Sequence, residues 1–270
     1  MPNAAAIQMV SGADRDRNLA AAGELIRRAA DAGARLVVLP ENFAFMGKRE
    51  SDKLRIAEPD GSGPIQDFLA DAAAASKVWL VGGTLPIRGN DRSDRAFATC
   101  PVYAEDGARV ARFDKIHLFD VSVPDTGEQY KESGSTIPGT EPVVIDTPLG
   151  RLGLTVCYDL RFPELYRHLS AAGAELLAVP AAFTAATGRA HWEVLVRARA
   201  IENLCYVIAP DQGGRHASGR ETHGDSMIVD PWGRVLDRVA AGPGLAMADV
   251  DVAGLLRTRE RFPALTHRRL

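Results

Sequence analysis

The chain has 270 residues, 46% of them hydrophobic and 25% charged, an ordinary globular composition with material for a sizeable core. Lys and Arg number 32 against 35 Asp and Glu, a net charge of −3, which argues against broad nucleic-acid binding because that needs a basic face. No apolar run approaches the roughly 20 residues that cross a bilayer, and Met1–Met9 lacks the basic start and long apolar stretch of a secretory signal. Cys100, Cys157 and Cys205 are widely spaced and odd in number. They make neither a disulfide framework nor a C-x-x-C pair. A reducing cytoplasm is the expected setting, and there a special cysteine is more often catalytic than structural.

Strand-like and helix-like segments alternate along the chain. Arg15–Ala32 is helix-like: Leu19, Ala22, Leu25, Ile26 and Ala29 recur at spacings of three and four, and Gly33 follows where a C-cap favours glycine. Strand-like Leu36–Leu39 comes next, then Pro40 and Glu41. Further strand-like runs are Trp79–Gly83, Val143–Asp146, Leu152–Val156, Leu176–Pro180, Tyr206–Ala209 and Met227–Asp230. Further helices are expected over Ile65–Ser76, Pro163–Ala172, His191–Asn203 and Val252–Arg261. The alternation points to βα units in one layered α/β domain. The turn-rich loops Gly61–Pro64 and Arg88–Asp94 are too short to be linkers.

Three segments carry candidate chemistry. Glu41 ends an apolar strand, the edge at which open α/β sheets bind ligands, although a solvated loop glutamate fits the local sequence as well. In Arg112–Asp120, alternation places Phe113, Lys115 and His117 on one side, with Asp114, Ile116 and Leu118 on the other. If that side is buried, Lys115 needs a partner or an anionic substrate; a surface edge strand with a snorkelling Lys115 is the plainer alternative. Finally, the strand through Val156 ends at Cys157, and Pro163 suits the first turn of a helix. Strand, sharp turn and helix is the setting of a nucleophile elbow, where backbone N–H groups gather at an oxyanion. Cys100 and Cys205 lie in core-strand contexts and read as inert. Spacing alone does not bring Glu41, Lys115 and Cys157 together.

Three stretches, Leu39-Pro-Glu-Asn-Phe43, Asp114-Lys-Ile-His-Leu-Phe119 and Val156-Cys-Tyr-Asp-Leu-Arg-Phe-Pro-Glu164, resemble in order and separation the motifs of the nitrilase, or carbon–nitrogen hydrolase, superfamily. Gly82–Leu85, Ala190–Glu193, Arg197–Glu202 and Val229–Gly233 extend the resemblance over essentially the whole chain. It implies one domain over 1–270, a four-layer αββα sandwich of two mixed sheets packed face to face with helices outside. It also implies a Glu–Lys–Cys triad, which carries onto Glu41, Lys115 and Cys157. A second family glutamate corresponds to Glu132, with Glu128 as its rival. One departure is Ala98, where relatives usually have asparagine; altered local hydrogen bonding is expected there.

The implied reaction is cleavage of an amide C–N bond through an acyl-thioester on Cys157 with release of ammonia. Glu41 is the general base, Lys115 and the Tyr158 backbone N–H hold the oxyanion, and Glu132 helps place the water. No metal or organic cofactor is expected. Within the family, Phe119-Asp-Val-Ser-Val-Pro124, Lys131-Glu-Ser133 and Thr187-Gly-Arg-Ala-His-Trp192 resemble the branch acting on ω-amides of 2-oxo acids and on deaminated glutathione. Gln212-Gly-Gly-Arg-His216 tilts the reading to deaminated glutathione. Such substrates are anionic, so Arg161, Arg215 and His216 are candidate ligands. An ω-amidase, an N-carbamoyl amide hydrolase, a nitrilase and a non-catalytic metabolite-binding homologue are the alternatives. A small-molecule substrate, no nucleic acid or membrane partner, and a homodimer or higher homo-oligomer complete the expectation.

Overall fold

A computed structural model describes residues 3–89, 94–123 and 127–269. Met1, part of the Arg88–Asp94 loop (90–93) and Pro124 of the Phe119–Pro124 stretch lie outside the described residues. Two sheets, of eight and six strands, form its centre. In the first, Asn3–Gln8 pairs in parallel with Ala34–Val38, which pairs in parallel with Trp79–Val81. Antiparallel strands Gly244–Asp249, Ala96–Tyr103 and Arg109–Asp114 extend it. In the second, Gly150–Leu154, Leu176–Ala178 and Tyr206–Ala209 run in parallel, flanked by antiparallel Val144–Thr147 and Ser226–Val229.

The layering follows from strands that are apolar on both faces. Along Asn3–Gln8, Ala4 and Ala6 turn into the core shared with Leu152, Leu154 and Leu177 of the other sheet. Their neighbours Ala5 and Ile7 pack instead with Leu25 and Ile26 of helix α1 (Arg15–Asp31). Helix α2 (Pro64–Ser76) adds Ile65 and Leu69 to that outer layer. Helices α3 (Pro163–Ala171) and α4 (Ala185–Asn203) bring Leu165, Leu169, Trp192 and Val196 to the second sheet. Helix α5 (Val252–Arg261) closes the fold. The expected αββα sandwich is the observed one.

One of the expected boundaries differs by more than two residues. Helix α4 starts at Ala185, six residues before the expected His191. Gly188 acts there as a close-packing residue rather than a breaker: a Cβ would stand 2.2 Å from the His223 Cβ. A second glycine sets a strand edge. Gly83 has φ +58°, and a Cβ would stand 2.1 Å from the Pro40 carbonyl oxygen, so only glycine lets these two strand ends meet. Beside it the Thr84 hydroxyl accepts a 2.9 Å hydrogen bond from Asn42 N–H, which ties down the segment holding Glu41.

Candidate active site

Glu41, Lys115, Glu132 and Cys157 come from four segments and line one pocket of about 440 Å3. Glu41 follows the strand Ala34–Val38 and is buried, as are Glu132 and Lys115. The Lys115 side chain is only 2% exposed, so the snorkelling alternative is excluded. Its Nζ donates to Glu41 Oε1 at 2.8 Å and to Glu132 Oε2 and Oε1 at 2.9 and 3.1 Å. Glu41 Oε2 accepts from Ala182 N–H at 3.0 Å, and Glu132 Oε2 also accepts from Phe119 N–H at 2.8 Å. Gln212, which lies in the second sheet's loop, donates from Nε2 to the Glu41 carbonyl at 3.0 Å. Glu128 lies at the outer wall, accepting from the Tyr130 hydroxyl at 3.3 Å; Glu132 is the glutamate that meets Lys115.

Cys157 is the first residue of a tight turn, Cys157–Arg161, with φ +48°. A cysteine rarely takes this left-handed backbone, and such strain persists only where the surroundings enforce it. Cys157 N–H is held by the Pro180 carbonyl at 2.8 Å. Asp159, fully buried, reaches back to accept from Val156 N–H at 2.9 Å, and its other oxygen accepts from His117 N–H at 2.9 Å. That oxygen also lies 2.7 Å from His117 Nδ1. One carboxylate therefore locks the elbow to the strand end carrying Lys115. Tyr158 N–H sits in the first turn, where the turn supplies no acceptor.

Charge in the pocket is arranged by burial and proximity. Burial alone would lower the Lys115 ammonium, yet Glu132 and Glu41 outweigh it and hold it well above its ordinary value. Burial would raise Glu132, but Lys115 keeps it low. The Cys157 thiol is pushed well up by burial first and by Glu41 second; Lys115 works the other way without reversing the shift. The resting pocket thus holds a neutral thiol, a fixed ammonium and a carboxylate anchored at both oxygens. Cys100 and Cys205 are buried in the core, away from this pocket, as their contexts predict.

The three candidate anion ligands lie outside this pocket's wall. Arg161 stacks one layer behind it, 5.9 and 5.3 Å from the rings of Tyr158 and Phe183, both of which do line it. Arg215 is exposed on the hairpin formed by Gly213–Arg215 and Glu221–His223. His216 is buried with both ring nitrogens engaged, at 2.8 Å from the Ser11 carbonyl and 2.7 Å from Thr222 Oγ1. The arginine that does line the pocket is Arg220, on the same hairpin. It belongs to no sequence motif; only the pairing of the hairpin strands places it. Ala98, the departure from the family pattern, is buried, and its carbonyl accepts from Lys115 N–H at 3.0 Å.

A thiol on a strained elbow beside a carboxylate–ammonium pair, at the edge of two packed sheets, has the parts of a cysteine acyl-transfer site. Comparison with known proteins agrees. The Carbon-nitrogen hydrolase family model matches residues 3–260. A Synechocystis sp. protein named deaminated glutathione amidase is 47% identical over 267 residues, covering 98% of this chain and 97% of its own. A solved Saccharomyces cerevisiae member of branch 10 of the nitrilase superfamily superposes with TM-score 0.88 at 30% identity, covering 100% of this chain and 97% of that one. An amidase from Nesterenkonia sp. AN1, solved with acrylamide added at its active-site cysteine, gives TM-score 0.79 at 27% identity, covering 97% and 98%. The chain belongs to the carbon–nitrogen hydrolase family, and it is an amidohydrolase.

Proposed function

We propose that the chain hydrolyses deaminated glutathione, the 2-oxo acid counterpart of glutathione, through a thioester on Cys157. The observation that carries the chemistry is the 2.8 Å contact between Lys115 and Glu41 in the pocket that Cys157 shares. The 47% identity to a relative of that name supports the substrate.

The geometry supports the following sequence. As the Cys157 sulfur attacks the amide carbon, its proton passes to Glu41, which answers the thiol's raised pKa: the thiolate never has to exist free in the pocket. The carbonyl oxygen becomes an oxyanion facing Lys115 Nζ and Tyr158 N–H, each such donor lowering the barrier by about 3 kcal/mol. Glu41 returns the proton to the nitrogen, the C–N bond breaks, and a neutral amine departs. In deaminated glutathione that amine is the cysteinylglycine dipeptide; ammonia is the product from a primary ω-amide. Glu41 then takes a proton from water, the hydroxide attacks the thioester, and the sulfur leaves with the proton restored. Glu132 acts by holding Lys115 in place, and its Oε1, which takes the longer 3.1 Å bond from Lys115, has a second lone pair to orient the water. Arg161 has its role through the stacked wall of Tyr158 and Phe183.

The test is release of cysteinylglycine from deaminated glutathione, beside ammonia release from 2-oxoglutaramate, in wild type and Cys157→Ala. A preference of at least about tenfold in kcat/KM, or ~1.4 kcal/mol, assigns the substrate. Preference for 2-oxoglutaramate would make the chain an ω-amidase instead. A mass increase on Cys157 matching the 2-oxoglutaryl group is expected on quenching; absence of any adduct with any small amide would refute the enzyme mechanism.

The proposal extends to a single domain over 1–270, working as a cytoplasmic homodimer. Trp232 and Phe262, 54% and 51% exposed, meet edge to face with ring centroids 5.5 Å apart and offer an apolar face for pairing. Light scattering at micromolar concentration tests the dimer. Among the described residues no helix is long and apolar enough to cross a membrane.

A further inference from the structure

Beyond the inner pocket lies a larger outer chamber of about 1090 Å3, and the two share Asn42, Glu50, Tyr130 and Arg220 at the neck between them. Arg220 is built into that neck. Its Nη1 donates to Glu50 Oε1 at 3.0 Å, and its guanidinium lies 5.0 Å over the Tyr130 ring. The loop presenting it is pinned by His216, through Ser11 and Thr222, and by the His216 N–H bond to the Arg220 carbonyl at 2.9 Å. The Nε is buried with no acceptor among the described residues, although the side chain remains 22% exposed. A guanidinium so held presents its Nε–Nη2 edge, two parallel donors spaced for a carboxylate.

The charges around it point the same way. Glu50 is shared by two cations, Arg220 at 3.0 Å and Lys53 at 3.7 Å, which leaves a positive charge in excess at the neck. The inner pocket is the reverse, with Glu41 and Glu132 sharing Lys115. A carboxylate-bearing amide entering that pocket meets net negative charge unless a cation receives it on the way. Lys115 is committed to both glutamates; among the described residues Arg220 is the other cation lining the inner pocket.

We infer that Arg220 is the specificity-determining receptor for a substrate carboxylate, which it holds at the neck while the amide carbon lies at Cys157. This rests on the amidase reading above. The carboxylate comes either from the acyl half, as in a 2-oxo acid, or from the leaving half, as at the glycine end of cysteinylglycine.

Three substrates separate these sources: 2-oxoglutaramate carries only the acyl-side carboxylate, N-butyryl-cysteinylglycine only the leaving-side one, and butyramide neither. Arg220→Gln is expected to lower kcat/KM, mainly through KM, at least tenfold more on one or both anionic amides than on butyramide; the affected arm names the carboxylate. Arg220→Lys, which keeps the charge and loses the fork, is expected to fall between. An equal loss on all three substrates, or a loss under about threefold on each, overturns the inference. Calorimetric binding of 2-oxoglutarate and of cysteinylglycine to Cys157→Ala, with and without Arg220→Gln, reads the same receptor without turnover. If wild type cleaves none of the amides, the amidase reading fails, while undiminished binding in the Arg220→Gln background sinks the receptor by itself.

Discussion

Asp159→Ala tests whether the elbow is held by one buried carboxylate. In the wild type that side chain accepts from Val156 N–H and His117 N–H, both at 2.9 Å, and contacts His117 Nδ1 at 2.7 Å. Removing it strands two backbone donors. Each unmet buried donor costs about 1–3 kcal/mol; Val156 is fully buried and takes the upper end, His117 is partly exposed and takes the lower. The expected loss is about 4 kcal/mol by urea denaturation. Asp159→Asn keeps the shape but turns one acceptor into a donor, leaving one N–H unmet, so about 2 kcal/mol is expected. Activity should fall further than stability alone explains, because Asp159 and the Pro180 carbonyl together hold Cys157 at φ +48° and one of the two restraints is removed. A displacement of ~1 Å at the sulfur is enough to slow acylation about 100-fold. Single-turnover acylation of folded protein, followed by mass spectrometry at 15 °C, separates this from unfolding. If Asp159→Ala stays within about 0.5 kcal/mol and acylates within threefold of wild type, the brace is not what holds the elbow.

Three other outcomes are expected. Lys115→Met leaves two carboxylates facing each other in a buried pocket: stability should drop by about 3–5 kcal/mol and acylation by about 100- to 1000-fold, and acylation within tenfold of wild type would contradict the oxyanion role. Asp211 is fully buried, with Oδ1 accepting from Phe183 N–H at 2.8 Å and Oδ2 unpartnered among the described residues, and burial raises it well above the usual carboxylate range. A raised carboxyl contributes stability that is full below its unfolded value near ~3.9 and is lost as pH rises toward the folded value. Asp211→Asn, which keeps the Phe183 contact and has no such loss, should therefore gain on wild type between pH 5 and pH 8, and denaturation curves superposing the two at both pH values would refute a neutral Asp211. The Cys157 thiol is raised mainly by burial, so its contribution is full below the unfolded value near ~8.5 and is lost as pH rises beyond it. Cys205, pushed up to about 12 by burial, has the same sign. Substrate-free Cys157 should then react slowly with iodoacetamide at pH 9, and alkylation as fast as that of free cysteine would show the thiol is not desolvated.

Local pattern is enough to read the element types, since strands apolar on both faces and helices with one apolar stripe admit few arrangements. Helix α1 shows this: of the five residues the spacing marks, Ala22, Leu25, Ile26 and Ala29 are buried and Leu19 is half-buried, while Asn18 is the buried residue the spacing leaves out. The start of helix α4 was not legible, because Thr187 and Gly188 look like breakers until the close approach of His223 is known. Cys157 could be preferred over Cys100 and Cys205 from its strand-end context, and family motifs joined it to Glu41 and Lys115. Arg220 could not be found that way. The sequence points instead to its neighbours Arg215 and His216, and only the hairpin register points one outward, folds one into the frame and turns Arg220 to the neck.

The sequence by itself determined which groups are available: a thiol at a strand end, carboxylates and an ammonium flanked by apolar residues, arranged as one family arranges them. Tertiary structure decided their state and their company. Lys115 is a fixed cation because Glu41 and Glu132, 74 and 17 positions away, converge on it, and Cys157 stays protonated because both sheets close around it. Charge state depends on solvent exclusion and on distances of a few ångströms, and those are properties of packing between segments far apart in the chain.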